Sequence, residues 1–435
     1  MSERDPISNK KLEERFDNIS TKSSIGLAVS GGPDSMALLL LVDRWCCARK
    51  KANKFFPNIV IFSVDHGLRA AAARECAFVM SKAKILGYKG ETLTWKGEVP
   101  TSRVQESARE IRYQLLAAAC HKHGIKTLLT AHHLDDQAET FLMRLARGSG
   151  VDGLCAMAGE SRRYGLYLHR PLLDLEKSVL LHALQEAQWD YIEDPGNDDP
   201  RFERVRLRQH SEELKTLGLS AKMIGLGAKR LRRAKMALNE ISDGFLEDNA
   251  FISEYGTARI DQLALYDAPD EIAIRALAKV LRICGGTRDV PNMARLETLL
   301  EGLKRDFSTN RTLAGCRLIA KGDFWLVVRE VGRILEVQKS IVPGGCMFWD
   351  ARYIVCADEK ASKNIVAGPL SSTDELAGNL EQAALQALPK EAIASLLALR
   401  YKGKIVAVPA FGFWQEDAIS AGLQAKFISG DEALV

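Results

Sequence analysis

Along the first half of the chain, short strand-like runs, most of them apolar, alternate with stretches whose apolar residues recur at helical spacing. Residues 25–29, 59–64, 89–94 and 127–130 read as strands, and 35–50, 71–86 and 105–122 read as the helices between them. This alternation predicts an α/β domain with a parallel sheet and helices on both faces, because a parallel crossover needs a connection of helix length. Ligands in such sheets lie beyond the carboxyl ends of the strands. Three clusters of chemistry-bearing residues fall at those ends, at 30–35, 65–69 and 131–139.

The pattern breaks at Asp194-Pro195-Gly196-Asn197-Asp198-Asp199-Pro200, a run of turn residues. Beyond it the periodicity is mainly helical, over 221–247, 269–284 and 290–303, with a hairpin expected at 317–329 turning at Lys321-Gly322-Asp323. Past residue 341, short strands such as 404–408 mix with helical patterns at 375–388 and 390–399, divided by Pro389. A chain of 435 residues can bury two or three cores. The expected division is an α/β catalytic domain over 1–215, a mainly helical domain over 216–335 and a small mixed domain over 336–435.

The first cluster reads Ser30-Gly31-Gly32-Pro33-Asp34-Ser35, between an apolar strand and an apolar helix. Its glycines let backbone approach a ligand closely, and the free N–H groups of the helix start favour an anion. Ser30 and Ser35 add hydroxyl donors. No lysine follows as in a Walker A loop, and Asp34 would repel a bare phosphate, so its place is beside Mg²⁺.

The third cluster, Ala131-His132-His133-Leu134-Asp135-Asp136-Gln137-Ala138-Glu139-Thr140, begins where a strand ends and becomes helical. At about 100° per residue, Leu134, Ala138, Phe141, Leu142 and Leu145 share one side, while His132, Asp136 and Glu139, with Asp135 at the edge, share the other. These carboxylates suit Mg²⁺ or a cationic substrate; capping with solvent exposure is the plainer account. Zinc is disfavoured because no recognisable ligand spacing is present. Arg109 and Arg112, at i, i+3 on the preceding helix, suit an α-phosphate, or pairing with Glu106 and Glu110.

Composition narrows the setting. A formal charge of +4 is too small to imply nucleic acid by itself, but between 201 and 235 eleven Lys and Arg face three Glu. Such a run is either a solvated helical face or a surface for RNA phosphates. The nine cysteines include no C-x-x-C pair, which predicts neither a disulfide framework nor a zinc ribbon and suits a reduced, cytoplasmic setting. No apolar run reaches membrane-spanning length, so no membrane partner is expected.

With these segments assembled, the chain resembles the bacterial tRNA(Ile)-lysidine synthetases, within the ATP pyrophosphatases that share an SGGxDS loop. The resemblance rests on Ser30–Ser35 and on Val64-Asp65-His66-Gly67-Leu68-Arg69, then on Arg109, Arg112 and Tyr113. It continues through Ala131–Thr140, Arg147–Leu154, Arg170-Pro171-Leu172-Leu173 with Lys177, and Asp194–Arg208. It implies the fold of the adenine nucleotide alpha-hydrolases, and ATP bound by Ser30, Gly31, Gly32, Pro33, Asp34, Ser35, Asp65, Arg109, Arg112 and His132. Asp34, Asp136, Glu139 and Arg112 would carry catalysis. Mg²⁺ would sit on Asp34, with Asp135 a second ligand, and free lysine on Asp136 and Glu139. Arg201, Arg204, Arg206 and Arg208 would meet the tRNA.

The implied reaction adenylates the wobble cytidine O2 of a CAU-anticodon isoleucine tRNA, and lysine then displaces AMP to give lysidine. Two positions depart from the family pattern. Gly196 stands where serine is usual, and Val205 stands where asparagine is usual, so no polar role passes to Val205. A tRNA thiolase and a non-catalytic RNA-binding protein are the rival readings, the first needing clustered cysteines and the second needing no intact phosphate loop. The sequence points to no obligate protein partner and leaves a homodimer open.

Overall fold

The computed structural model describes residues 7–65, 70–95, 104–193, 201, 203–287, 291–334, 337–361, 365–372, 389–416, 418 and 422–428. They divide into two compact units, 1–235 and 236–434. The segments 66–69, 194–200 and 375–388, which include Gly196, lie outside the described residues.

The first unit runs α1 (Asn9–Arg15), β1 (Ser24–Ala28), α2 (Pro33–Lys51), β2 (Asn58–Asp65), α3 (Ala70–Ile85) and β3 (Lys89–Thr94). It continues with α4 (Val104–Lys122), β4 (Thr127–Leu129), α5 (Leu134–Leu145), α6 (Val151–Leu154), β5 (Glu160–Arg163), β6 (Leu166–His169) and α7 (Lys177–Glu186). Short α8 (Glu203–Gln209) and α9 (Ser211–Thr216) precede α10 (Ala221–Asn249), which crosses the boundary between the units.

The sheet order is β3-β2-β1-β4-β6-β5, parallel except for β5 against β6. The expected parallel sheet is therefore present, with an antiparallel edge that the alternation did not reveal. Along β2, Ile59 and Ile61 enter the core shared with α2 and α7, while Val60 and Phe62 enter the core shared with α4. Burial on both faces explains why this strand reads as a continuous apolar run. The chain winds outward from β1 through β2 to β3, then returns to β4 on the other side of β1. That reversal makes the β1/β4 edge the topological switch point, where such sheets bind ligands.

The second unit is not simply helical in its first part. Helices Asp270–Gly285 and Met293–Arg305 pack their leucines and isoleucines on a five-stranded antiparallel sheet. The expected hairpin is there, Cys316–Lys321 against Phe324–Arg329, turning at Gly322. Further along the chain lie a second five-stranded sheet and a three-stranded one. Two expectations fail here. The helix expected over 390–399 is helical only at Lys390–Ile393 and gives way to the strand Leu397–Tyr401. A short buried apolar run does not distinguish the two states, and pairing with neighbours on both sides makes it a central strand. Cys346 and Cys356, directly opposite on paired strands, form a single disulfide that the scattered cysteine spacing does not foretell.

Candidate active site

The phosphate loop follows β1. Gly31 has φ +89°, a left-handed backbone open to glycine at no cost, and Pro33 supplies a preset φ at the first position of α2. The loop closes on itself: Ser35 Oγ donates to the Gly32 carbonyl at 2.9 Å and accepts from the Ser30 N–H at 3.1 Å. Asp34 stands in the first turn of α2.

The other half of the switch point follows β4. His133 is the N-cap of α5 with extended backbone (φ −125°, ψ −176°), and its imidazole is enclosed by three carboxylates. Asp34 and Asp136 oxygens each lie 3.5 Å from Nε2, and an Asp135 oxygen lies 3.4 Å from Nδ1. Burial would lower the His133 pKa, but Asp135, Asp34 and Asp136 outweigh it and raise it to about 10. The same pairing acts in reverse on Asp34: burial pushes its pKa up, and His133, Lys177 and Arg208 together bring it below the ordinary carboxylate value. Asp34 Oδ1 is buried without a hydrogen-bond partner. Asp135 has a second task, since its Oδ2 accepts the Lys177 N–H at 2.9 Å, at the start of α7.

Asp136 and Glu139 are 8 % and 6 % exposed, so solvent exposure does not account for them. Arg208 of α8 makes a two-pronged contact with Glu139, 2.5 and 3.2 Å, and lies 3.6 Å from Asp136. Burial raises the Glu139 pKa, with Asp136 adding to it and Arg208 and Arg204 opposing, for a net rise. Arg204 donates to Thr140 Oγ1 at 3.4 Å. On the far side of α5, Leu134 meets Gly225 of α10, where a Cβ would come within 2.5 Å of Leu134 Cδ1. Val205 is buried and apolar, a packing contact where the family pattern has asparagine.

His132 goes the other way. Its Nδ1 lies 3.0 Å from Thr130 Oγ1, and its surroundings are Arg170, Arg109, Arg112 and Arg204. Burial first, then these guanidiniums, drive its pKa down to about 2, so the ring is neutral. Arg109 and Arg112 sit over the Tyr113 ring at 5.5 and 5.4 Å, and Glu110 pairs with Arg163 instead of with either of them. Asp65 ends β2, on the same carboxyl edge of the sheet as the loop.

The structure thus brings Ser30–Ser35, Asp34, Asp135, Asp136, Glu139 and Arg208 into one neighbourhood, and Arg109, Arg112 and His132 into an adjoining one. Arg201 and Arg206 are exposed, and Arg206 Nη1 donates to the Arg201 carbonyl at 3.1 Å. Sequence reasoning names His133 and Lys177 but gives neither a role. A helical phase carried back past the start of α5 hides His133, whose backbone is extended.

Residues 4–213 match the family model described as a PP-loop domain. The tRNA(Ile)-lysidine synthase of a Bradyrhizobium species is 40% identical over 319 residues, 71% of this chain and 86% of that protein. That of Rhodopseudomonas palustris is 38% identical over 75% of this chain and 96% of its own length. That of Wolbachia pipientis is 33% identical over 84% of this chain and 85% of its own. The chain belongs to the tRNA(Ile)-lysidine synthase family.

Proposed function

We propose that this chain ligates lysine to C2 of the wobble cytidine of a CAU-anticodon isoleucine tRNA. ATP yields AMP and pyrophosphate through an adenylated cytidine. The observation that carries the reading is the meeting, at one switch point, of a phosphate loop with a carboxylate pocket fit for an ammonium. Family membership supports it. The nine cysteines do not favour a thiolase: two are joined in the second unit, and six of the other seven are buried.

The loop N–H groups and the Ser30 and Ser35 hydroxyls would hold the departing pyrophosphate. Arg109 and Arg112, beside neutral His132, would receive the α-phosphate and then AMP. Asp34 fits Mg²⁺, because its Oδ1 is buried with no hydrogen bond to satisfy it. A Mg²⁺ held there by that carboxylate, phosphate oxygens and water would be an ordinary arrangement for this ion. Bound there, Mg²⁺ would neutralise charge on the leaving phosphates.

Lysine arrives as an ammonium with a pKa near 10.4, and removing its proton at pH 7 costs about 4–5 kcal/mol. Asp136 and Glu139 would bind it. Two features ease the deprotonation: burial makes Glu139 a stronger base than a solvated carboxylate, and the Arg208 cation beside it disfavours a second positive charge. Arg201, Arg204 and Arg206 would meet the tRNA backbone, with the chain beyond 216 adding further contacts. A folded Asp34→Ala chain should lose nearly all tRNA-dependent pyrophosphate release while keeping tRNA affinity; near-normal release would contradict the reading.

A further inference from the structure

The arginines around Tyr113 outnumber what one nucleotide phosphate can balance. Arg109, Arg112 and Arg163 lie 5.5, 5.4 and 4.5 Å from the centre of the Tyr113 ring, so one aromatic post gathers three guanidiniums. Arg170, just past β6, adds a fourth charge to the same phenol and to His132. Among the described carboxylates, Glu110 alone pairs with this group, through Arg163. His132 contributes no charge of its own, being neutral.

Guanidiniums held this close repel one another unless an anion joins them. The α-phosphate of ATP carries one negative charge, and the β and γ phosphates belong to the loop after β1. A buried polar atom without a partner also marks the place. Tyr113 is 2 % exposed with the Arg170 guanidinium set against its hydroxyl, and Arg170 Nε is buried without a hydrogen bond although Nη1 donates to the Ala158 carbonyl and Ser161 Oγ at 2.9 Å each. Planar guanidinium forks suit phosphate oxygens.

We propose that Arg163 and Arg170, braced by Tyr113, form a second anion subsite that takes a phosphodiester of the RNA strand beside the nucleotide being modified. This rests on the ligase reading, in which ATP and RNA are the two phosphate-bearing substrates and ATP is already accommodated.

Full-length Arg163→Gln and Arg170→Gln chains test it, with tRNA binding followed across a salt series and ATP binding measured without tRNA. Each variant is expected to bind tRNA on the order of tenfold more weakly, as for the removal of one charge-assisted hydrogen bond. Its log–log salt slope should flatten by about 0.7 for each single-strand phosphate left unneutralised. ATP affinity should not change. Arg163→Lys, which keeps the charge without the fork, should restore the slope but not the whole affinity. Weaker ATP binding with an unchanged tRNA slope would overturn the proposal and return the cluster to the nucleotide. No change in either would make it structural and overturn it too. Wild-type chain that binds tRNA but forms no lysidine would contradict the ligase reading alone, while the slopes still decide the subsite.

Discussion

His132 and His133 precede the helical part of α5, His133 with extended backbone, and one imidazole meets arginines while the next meets carboxylates. Their effects on stability have opposite signs. His133, with its pKa raised from 6.5 to about 10, contributes stability that is fully present below pH 6.5 and lost as pH rises through about 10. His132, depressed to about 2, refuses a proton that the unfolded chain accepts, so stability falls as pH drops below 6.5. Denaturation across pH should therefore show His133→Gln flattening the alkaline side and His132→Gln the acid side; the reverse assignment would refute both charge states. A bound AMP brings negative charge to the arginines, so the His132 pKa followed by NMR should climb when AMP is added. For Arg208→Ala, loss of the Glu139 pair should cost about 1–3 kcal/mol, less than a fully buried pair because the Arg208 side chain is 39 % exposed. Chemical denaturation measures it. The loop residues were legible individually, because Gly31 and Pro33 answer local backbone needs. His133 and Lys177 were not, since their roles depend on which chain segments meet.

At the scale of elements, α5 is covered on both sides. Its polar residues Asp136 and Glu139 are buried, as Ala138 on the apolar side is, and Leu134, Phe141 and Leu142 are half-buried, leaving Leu145 at the helix end exposed. The periodicity grouped Asp136 with Glu139 but misplaced His132, which precedes the helix, and a hydrophobic pattern does not say that a charged face will find Arg208 from a helix some seventy residues on. That burial motivates a kinetic prediction: Asp136→Asn and Glu139→Gln should raise the KM for lysine more than the KM for ATP. Loss of ATP affinity with an unchanged lysine KM would place these carboxylates with the metal. Strands β1, β2 and β4 were readable because burial on both faces makes apolar runs. The edge strand β5, Glu-Ser-Arg-Arg, has no such run, and its strand state comes from pairing with β6.

For the whole molecule, the parallel sheet covered by helices was legible from alternation, whereas its strand order was not, and the sheets of the second unit were hidden among helical signals. Among the described residues no helix is long and apolar enough to cross a membrane. The basic stretch that begins at Arg201 divides by structure: Arg208 serves the carboxylate pocket, while Arg201 and Arg206 are exposed. Replacing both Arg201 and Arg206 by Gln should therefore weaken tRNA binding and flatten the log–log salt slope by about 1.4 to 1.8 if each meets one phosphate. ATP binding should stay as it was. An unchanged slope would make this stretch a solvated face. The most direct test of the central claim is nucleoside mass analysis after incubating the chain with ATP, lysine and unmodified CAU-anticodon isoleucine tRNA. The account predicts that wobble cytidine becomes lysidine, dependent on both ATP and lysine; unchanged cytidine, or sulfur in place of the 2-oxo oxygen, would contradict it.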